Sequence, residues 1–338
     1  MTEAVEWELK QVEQRVLGRS EQRVSAVGLG TWQLGADWGQ VEEKAALSVL
    51  EAAVEAGVTF FDTADVYGDG RSERVIGRFL RERPDAGVVV ATKMGRRVAL
   101  DPDLYTLDHF RAWTDRSRRN LGVERLDLIQ LHCPPTPVYS SDAVFDALDT
   151  LVEEERISAY GVSVETCAEA LTAIARPGTA SVQIIFNPLR LKPLEDVLPA
   201  ATAAGVGIIA RVPLASGLLS GKYTRDTVFS DDDHRTFNRR GEAFDQGETF
   251  SGIEYAKGVE AAAEFSALAA EGATPAQTAL RWIIQQPGVT SVIPGARSPQ
   301  QARLNAQAAS LDPLPDETLK AVGELYDRWA RADIHHRW

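Results

Sequence analysis

Gly28-Leu29-Gly30-Thr31-Trp32-Gln33 decides the fold, because two glycines spaced this way after an apolar run could open the phosphate-binding turn of a doubly wound sheet. That turn needs a third glycine where this chain has Gln33, and a helix where residues 34–40 have the composition of a loop. The doubly wound alternative therefore fails at its defining turn. Outward from residues 25–30, seven more short apolar runs follow, at 58–62, 88–92, 126–131, 159–163, 181–185, 207–210 and 291–293. Most lack alternation, as parallel strands buried on both faces do. Helical stripes lie between them, such as Val144, Ala147, Leu148, Leu151 and Val152 backed by Glu153, Glu154 and Glu155. Leu107, Phe110, Thr114 and Leu121 form another, ending at Gly122 as a C-terminal cap. Eight strands, each followed by helical pattern, predict an α/β fold, a (β/α)8 TIM barrel.

Two segments depart from the alternation. Residues 11–23, with Val12, Val16 and Leu17 around Gly18-Arg19-Ser20, predict a β-hairpin ahead of the barrel. Residues 217–255, after the seventh strand, carry Asp231-Asp232-Asp233, Arg239-Arg240-Gly241 and isolated aromatics at Phe229, Phe237, Phe244 and Phe250. A connection this long is more often functional than plain, and a lid closing over a ligand, with Arg235, Arg239 and Arg240 approaching it and Phe237 covering it, is the expectation. A length of 338 residues allows two domains, but one barrel of this size is ordinary, so a single domain over 1–338 is expected.

Composition narrows the partners. The chain is 44% hydrophobic and 25% charged, which excludes collagen-like and wholly disordered classes. Its 36 Lys and Arg against 49 Asp and Glu give −13, which argues against nucleic acid or an anionic membrane surface as main partner. Two cysteines, Cys133 and Cys167, cannot build a disulfide framework in such a chain, and a cytoplasmic location is expected. Residues 1–19 lack the apolar core of a secretory signal, and no apolar run approaches the roughly 20 residues that span a bilayer.

Barrel chemistry sits at the carboxyl ends of the strands. There the second strand ends in Phe61-Asp62-Thr63-Ala64 with Tyr67 following, the third in Thr92-Lys93, the fourth in Leu131-His132-Cys133 and the fifth in Gly161-Val162-Ser163. Alone, such an Asp is usually a cap, such a Lys solvated and such a His a packing residue. Asp, Tyr, Lys and His on neighbouring strands at one rim point to chemistry instead. Metal-ligand spacings are lacking: His335-His336 reads as a polar tail, and strand alternation would send Cys133 and His132 to opposite faces. No metal is expected.

In these words the sequence resembles the aldo-keto reductase superfamily over nearly its whole length. The words are Gly28-Leu29-Gly30-Thr31-Trp32, Phe61-Asp62-Thr63-Ala64 with Tyr67-Gly68, Ser72-Glu73, Ile76-Gly77, Thr92-Lys93 and Leu126-Asp127-Leu128 running into Leu131-His132. Gly161-Val162-Ser163, Gln183, Pro213-Leu214 with Gly221-Lys222, and Val292-Ile293-Pro294-Gly295 complete the ordered set. The long segment, with Asp232-Asp233-His234-Arg235 and Phe237-Asn238-Arg239, resembles the bacterial branch holding general-stress and inositol-linked reductases. The resemblance implies an NADPH-dependent carbonyl reductase with the tetrad Asp62, Tyr67, Lys93 and His132. Hydride transfer to a carbonyl leaves an alkoxide that needs a proton, and a phenol near pKa ~10 is a poor acid unless tuned. Lys93 would lower the Tyr67 pKa, Asp62 would hold Lys93 charged, and His132 would orient the substrate oxygen.

The cofactor expectations have a local basis as well. Arg297-Ser298-Pro299-Gln300-Gln301 predicts a helix start with Ser298 as N-cap, Pro299 in the first turn and Gln301 closing a capping box. A helix N-terminus beside Arg297 suits a phosphate, and the 2′-phosphate favours NADPH/NADP+ over NADH. The resemblance further implies Ser163 and Gln183 at the carboxamide, and Gly30, Thr31 and Trp32 near the reactive end. It places Val212, Leu214, Gly217 and Lys222 at the pyrophosphate and Gln301 and Asn305 toward the adenosine; Gly295 and Arg235 complete the expected cofactor-binding set. The chain departs from the family where Val164 stands for a common Asn, Leu304 for a frequent Glu, and Arg211 for the aromatic that stacks on nicotinamide. A small-molecule carbonyl or sugar substrate is expected, on a monomer or weak homo-oligomer. The competing readings are a redox-sensing NADP-binding subunit and a sugar or polyol dehydrogenase working in reverse.

Overall fold

The computed structural model describes residues 12–35 and 42–338. A two-stranded antiparallel hairpin, β1 (Gln14–Val16) and β2 (Arg23–Ser25), precedes an eight-stranded parallel sheet. The sheet runs in chain order through β3 (Leu29–Gly30), β4 (Phe60–Asp62), β5 (Val89–Met94), β6 (Leu126–His132), β7 (Ile157–Ser163), β8 (Thr179–Ile185), β9 (Gly207–Arg211) and β10 (Val289–Val292). It closes on itself where Gly28 N donates to Val292 O at 2.8 Å and Gly30 N to Pro294 O at 3.0 Å. This is the (β/α)8 barrel that the sequence predicts.

The predicted first strand, residues 25–30, is divided. Ser25 ends the hairpin and pairs with Gln14, whereas only Leu29 and Gly30 ladder with β4. Ser25 Oγ donates to Val27 O at 2.7 Å, turning the chain between the two sheets. The predicted 34–40 loop begins instead as a 3-10 turn, Trp32–Gly35, and its remainder lies outside the described residues, as do Gln11 of the hairpin and the start of the acidic 1–19 stretch. His335 and His336 are no loose tail. Helical structure runs through Ala332–Ile334, His335 Nδ1 lies 3.0 Å from the Tyr326 hydroxyl, and Trp338 is buried.

The hairpin plugs the amino end of the barrel. Leu17 and Val24 pack inside it against Phe60, Ala91, Leu128, Ala159 and Ile209, an apolar floor drawn from successive strands. Gly18 sits at φ +50, and a Cβ there would come within 2.1 Å of Ala180 O, so only glycine lets this turn seat. Helices such as Glu43–Glu55, Leu107–Leu121 and Asp142–Glu153 cover the outside with their apolar faces. Gly122 closes Leu107–Leu121 in the left-handed region, as expected. Among the described residues no helix is long and apolar enough to cross a membrane.

Candidate active site

Strand periodicity builds the site on the apolar floor. Two residues beyond Phe60, Ala91, Leu128 and Ile209, on the same side of each strand, come Asp62, Lys93, Gln130 and Arg211. One step further along β6 is His132. Lys93 is level with Gln130, His132 with Ser163, and Ser163 with Gln183. The barrel is thus apolar at the hairpin end and charged at the carboxyl end.

Lys93 Nζ is the hub. It donates to Asp62 Oδ1 at 2.5 Å, to Thr63 O at 2.9 Å and to the Tyr67 hydroxyl at 3.4 Å. The second Asp62 oxygen accepts from Gln183 Nε2 at 2.7 Å and Gln130 Nε2 at 3.1 Å, so the carboxylate is fixed on both sides. Burial opposes the Lys93 charge, but Asp62 and Tyr67 outweigh it and its pKa ends above the ordinary value. Tyr67 is carried by the turn after β4. Gly68 there lies at φ +57 with the Gly35 backbone against it, where no Cβ fits. Burial raises the Tyr67 pKa; Lys93 pulls it down, while Asp62 and Glu248 add to the rise. The expected lowering by Lys93 is therefore present, but burial overcomes it and the net shift is upward. The His132 ring meets the Tyr67 ring edge-on with centroids 6.0 Å apart, and its Nδ1 is buried without a partner. Burial, followed by repulsion from Arg96, Lys93 and Arg211, holds its pKa well below 6.5, so the imidazole is neutral.

A second charged layer lies beside this one. Arg96 Nη2 reaches Glu165 Oε1 and Glu248 Oε1, both at 3.1 Å. Arg211 Nη2 donates to Glu165 Oε2 at 2.7 Å and to Val164 O at 3.0 Å, and Arg211 Nη1 lies 3.7 Å from Glu248 Oε2. Burial pushes Glu165 up to about 7, whereas in Glu248 Arg96 and Arg211 overcome burial and hold the carboxyl at about 2. Cys133, Glu165 and Glu248 bring potential ligand atoms within 4.8 Å of one another, yet the two guanidiniums already neutralise the carboxylates, and burial pushes the Cys133 thiol up to about 12. Cys133 has left the strand at φ +48, so alternation does not govern it; its Sγ lies 3.4 Å from Ser163 Oγ.

A cavity of about 330 Å³ opens on this rim. Of the predicted cofactor residues, Gly30, Thr31, Trp32, Asp62, Gln183 and Arg211 line it at the tetrad end, together with Tyr67. Gly295, paired with Gly30, joins them, and Val212, Leu214, Gly217, Arg235, Arg297 and Gln301 line the rest. Lys93, His132, Ser163, Lys222 and Asn305 do not line it. Lys93 is buried against the Tyr67 hydroxyl, His132 packs beside the Tyr67 ring, and Ser163 is buried against Cys133. Lys222 is exposed, and Asn305 Nδ2 supports Gly295 by donating to its carbonyl at 3.2 Å.

The site's backbone suits a dinucleotide. Ser298 caps the Pro299–Gln307 helix by accepting from Gln301 N at 3.2 Å, while Gln301 Oε1 accepts from Arg297 N at 2.7 Å, one residue before the capping-box position predicted for it. The helix N-terminus therefore opens at the cavity between Arg297 and Gln301, as anion binding requires. Val212, Ala215, Ser216 and Gly217 all have positive φ, a run of turns that concentrates backbone N–H groups.

Residues 217–255 fold onto the rim as an ordered excursion with a short helix, His234–Phe237, and 3-10 turns Gln246–Glu248 and Phe250–Gly252. Arg235 grips Asp233 through two nitrogens and touches the Tyr223 hydroxyl. Arg239 lies 5.0 Å over the Tyr255 ring, Arg240 is exposed, and Phe237 is 40% exposed, so of the residues expected to cover a ligand Arg235 alone lines the cavity. Sequence reasoning missed Gln130, His234 and Glu248. Stepping back two residues from His132 would have found Gln130. His234, whose ring packs 5.2 Å from Trp32, stands in a word that marks the family branch without marking a site residue, and Glu248, also from the excursion, has no local signal.

A model of the aldo/keto reductase family matches residues 26–327. An uncharacterised oxidoreductase of Mycobacterium tuberculosis is 36% identical over 298 residues, covering 86% of each chain. A glycerol dehydrogenase from Gluconobacter oxydans is 29% identical and matches with TM-score 0.74 over 96% of this chain and 97% of its own. An aldo-keto reductase from Klebsiella pneumoniae, solved in complex with NADPH, is 26% identical with TM-score 0.70 over 94% of this chain and 96% of its own. A match running from Ala26 to Asp327 leaves little of the barrel outside it, and the chain belongs to the aldo-keto reductase family.

Proposed function

We propose that the protein reduces aldehyde or ketone carbonyls to alcohols with NADPH, with Tyr67 as the proton donor. The observation that carries this reading is Lys93 Nζ held between the Asp62 carboxylate and the Tyr67 hydroxyl, both on the wall of a cavity that Arg297 and Gln301, at a helix N-terminus, also line. NADPH bound there supplies a hydride to the carbonyl carbon. Tyr67 gives its proton to the oxygen, and the resulting phenolate lies beside the Lys93 ammonium until solvent returns the proton. Asp62, fixed by Gln130 and Gln183, keeps that ammonium in place. Neutral His132, with a buried nitrogen free of protein partners, orients the substrate oxygen. Arg297 and the Ser298-capped helix take the 2′-phosphate, and Gly217 with its neighbours takes the pyrophosphate. The NADPH complex of the Klebsiella relative supports the cofactor assignment. The same groups serve the reverse reaction, and likeness to a glycerol dehydrogenase brings polyols into the test.

The test is turnover on a panel of aldehydes, ketones and keto-sugars with NADPH and NADH, and of polyols with NADP+. Carbonyl reduction faster with NADPH is the expected result. Tight NADPH binding without turnover of any substrate would favour a redox-sensing subunit instead.

A further inference from the structure

Hydride and proton must reach adjacent atoms of one carbonyl, so the nicotinamide end of a bound cofactor lies beside Tyr67. Tyr67 shares its cavity wall with Arg211 and Glu248, and feels the Glu248 charge. Arg211 is 7% exposed and its Nε has no partner. Arg96, Arg211, Glu165 and Glu248 sum to zero when both carboxylates are ionised and to one positive charge when the pair holds a proton. The reduced nicotinamide ring is neutral, and the oxidised ring carries a positive charge. We propose that the charge state of the Glu165–Glu248 pair, bridged by Arg96 and Arg211, sets the protein's relative affinity for NADP+ and NADPH, the neutral network admitting the oxidised ring and the singly positive one repelling it. The inference rests on the cofactor reading above.

The geometry makes the two carboxylates one unit, since Arg96 contacts both at 3.1 Å and Arg211 reaches both from the other side. A proton taken up there belongs to the pair, and burial moves its release to about pH 7. The other groups facing the pair keep their charge near that pH, and Asp65, two residues from Tyr67 and pushed up to about 7 by burial, is controlled by repeating the measurements in Asp65→Asn. Burial holds the Cys133 thiol at about 12, and His132 and His234 below the usual histidine value. It also holds the Tyr67, Tyr105 and Tyr139 phenols above 10. Lys93 stays charged, as does Arg190, which burial lowers only to about 10. An oxidised ring favours the doubly ionised pair, so NADP+ binding expels a proton from it. NADP+ affinity relative to NADPH is then highest above the pair's titration and falls as pH drops through it. One unit charge at this range changes the ratio by about tenfold. The 2′-phosphate also titrates, but both cofactors carry it and it cancels in the ratio.

The experiment measures dissociation constants of the whole protein for NADP+ and NADPH by fluorescence from pH 5.5 to 8.5. The ratio Kd(NADP+)/Kd(NADPH) should rise about tenfold as pH falls through about 7. In Glu165→Gln the ratio should stay at its low-pH value throughout. Calorimetry of the unmodified protein at pH 7, in buffers of different ionisation enthalpy, should show more protons released with NADP+ than with NADPH. A flat ratio or equal proton release, with both cofactors bound tightly, overturns the inference and leaves the cofactor reading intact. Failure of both cofactors to bind overturns the two together.

Discussion

Burial and a neighbouring cation pull the Tyr67 hydroxyl in opposite directions, and burial prevails in the protein alone. Tyr67 thus holds a proton at neutral pH, and the Lys93 ammonium 3.4 Å away stabilises what remains once that proton is given. Tyr67→Phe should lower kcat for carbonyl reduction by roughly 100- to 10,000-fold while leaving NADPH affinity near normal. Steady-state kinetics with a fluorescence titration would check both, and a near-normal kcat would refute the assignment. Asp65, two residues earlier, shows burial outweighing the compensation that Arg97, Arg116 and the Val66 backbone offer. It is 1% exposed, neither carboxyl oxygen has a hydrogen-bond partner, and burial, aided by Glu73, pushes its pKa up to about 7. A raised folded-state pKa means that the folded protein keeps a proton the unfolded chain has lost, so stability falls as pH rises from about 4 to about 7. Asp65→Asn should therefore gain on the unmodified protein by about 2–3 kcal/mol between pH 5 and pH 8, by urea unfolding. An equal effect at both pH values would show that Asp65 does not titrate in this window.

At the scale of elements, the ends of the strands were legible and the handovers between sheets were not. Lys93 and His132 could be placed because one polar word closes each apolar run, and a barrel puts all such closures on one rim. The run through Val24, Ser25, Ala26 and Val27 is apolar enough to be one strand, yet its first part pairs with the hairpin and its last with the barrel. Nothing local marks that change of partner. Glu248 was invisible for the same reason, since its meaning lies in Arg96 and Arg211, far away in sequence. The Pro299–Gln307 helix was legible because Ser298 and Pro299 define its start by local chemistry. If that helix start receives the 2′-phosphate, Arg297→Ala should weaken NADPH by roughly 10- to 150-fold. NADH should be nearly unaffected. Paired Kd measurements decide it, and equal losses for both cofactors would place the phosphate elsewhere.

Across the whole molecule, the excursion after β9 is held over the rim from outside as well as inside. From inside, Glu248 pairs with Arg96 and Arg211. From outside, Trp338 is 6% exposed, lies 4.2 Å from the Arg190 guanidinium and donates its indole N–H to Asp245 Oδ1 at 2.9 Å. A Cβ on Gly252 would come within 2.4 Å of the Trp338 ring, so the two residues fit only because position 252 has no side chain. Removing the ring should free residues 245–252 without loosening β5 to β8, whose floor it does not touch. Trp338→Ala should thus cost roughly 3 kcal/mol of stability and speed hydrogen exchange across 245–252 while strand protection holds. With NADP+ bound, exchange across 217–255 should slow in the unmodified protein if the excursion closes on the cofactor, and less so in the variant, whose outer anchor is gone. Unchanged protection of 217–255 at saturating NADP+ would refute closure. Equal slowing in both proteins would leave Trp338 a packing residue with no part in it.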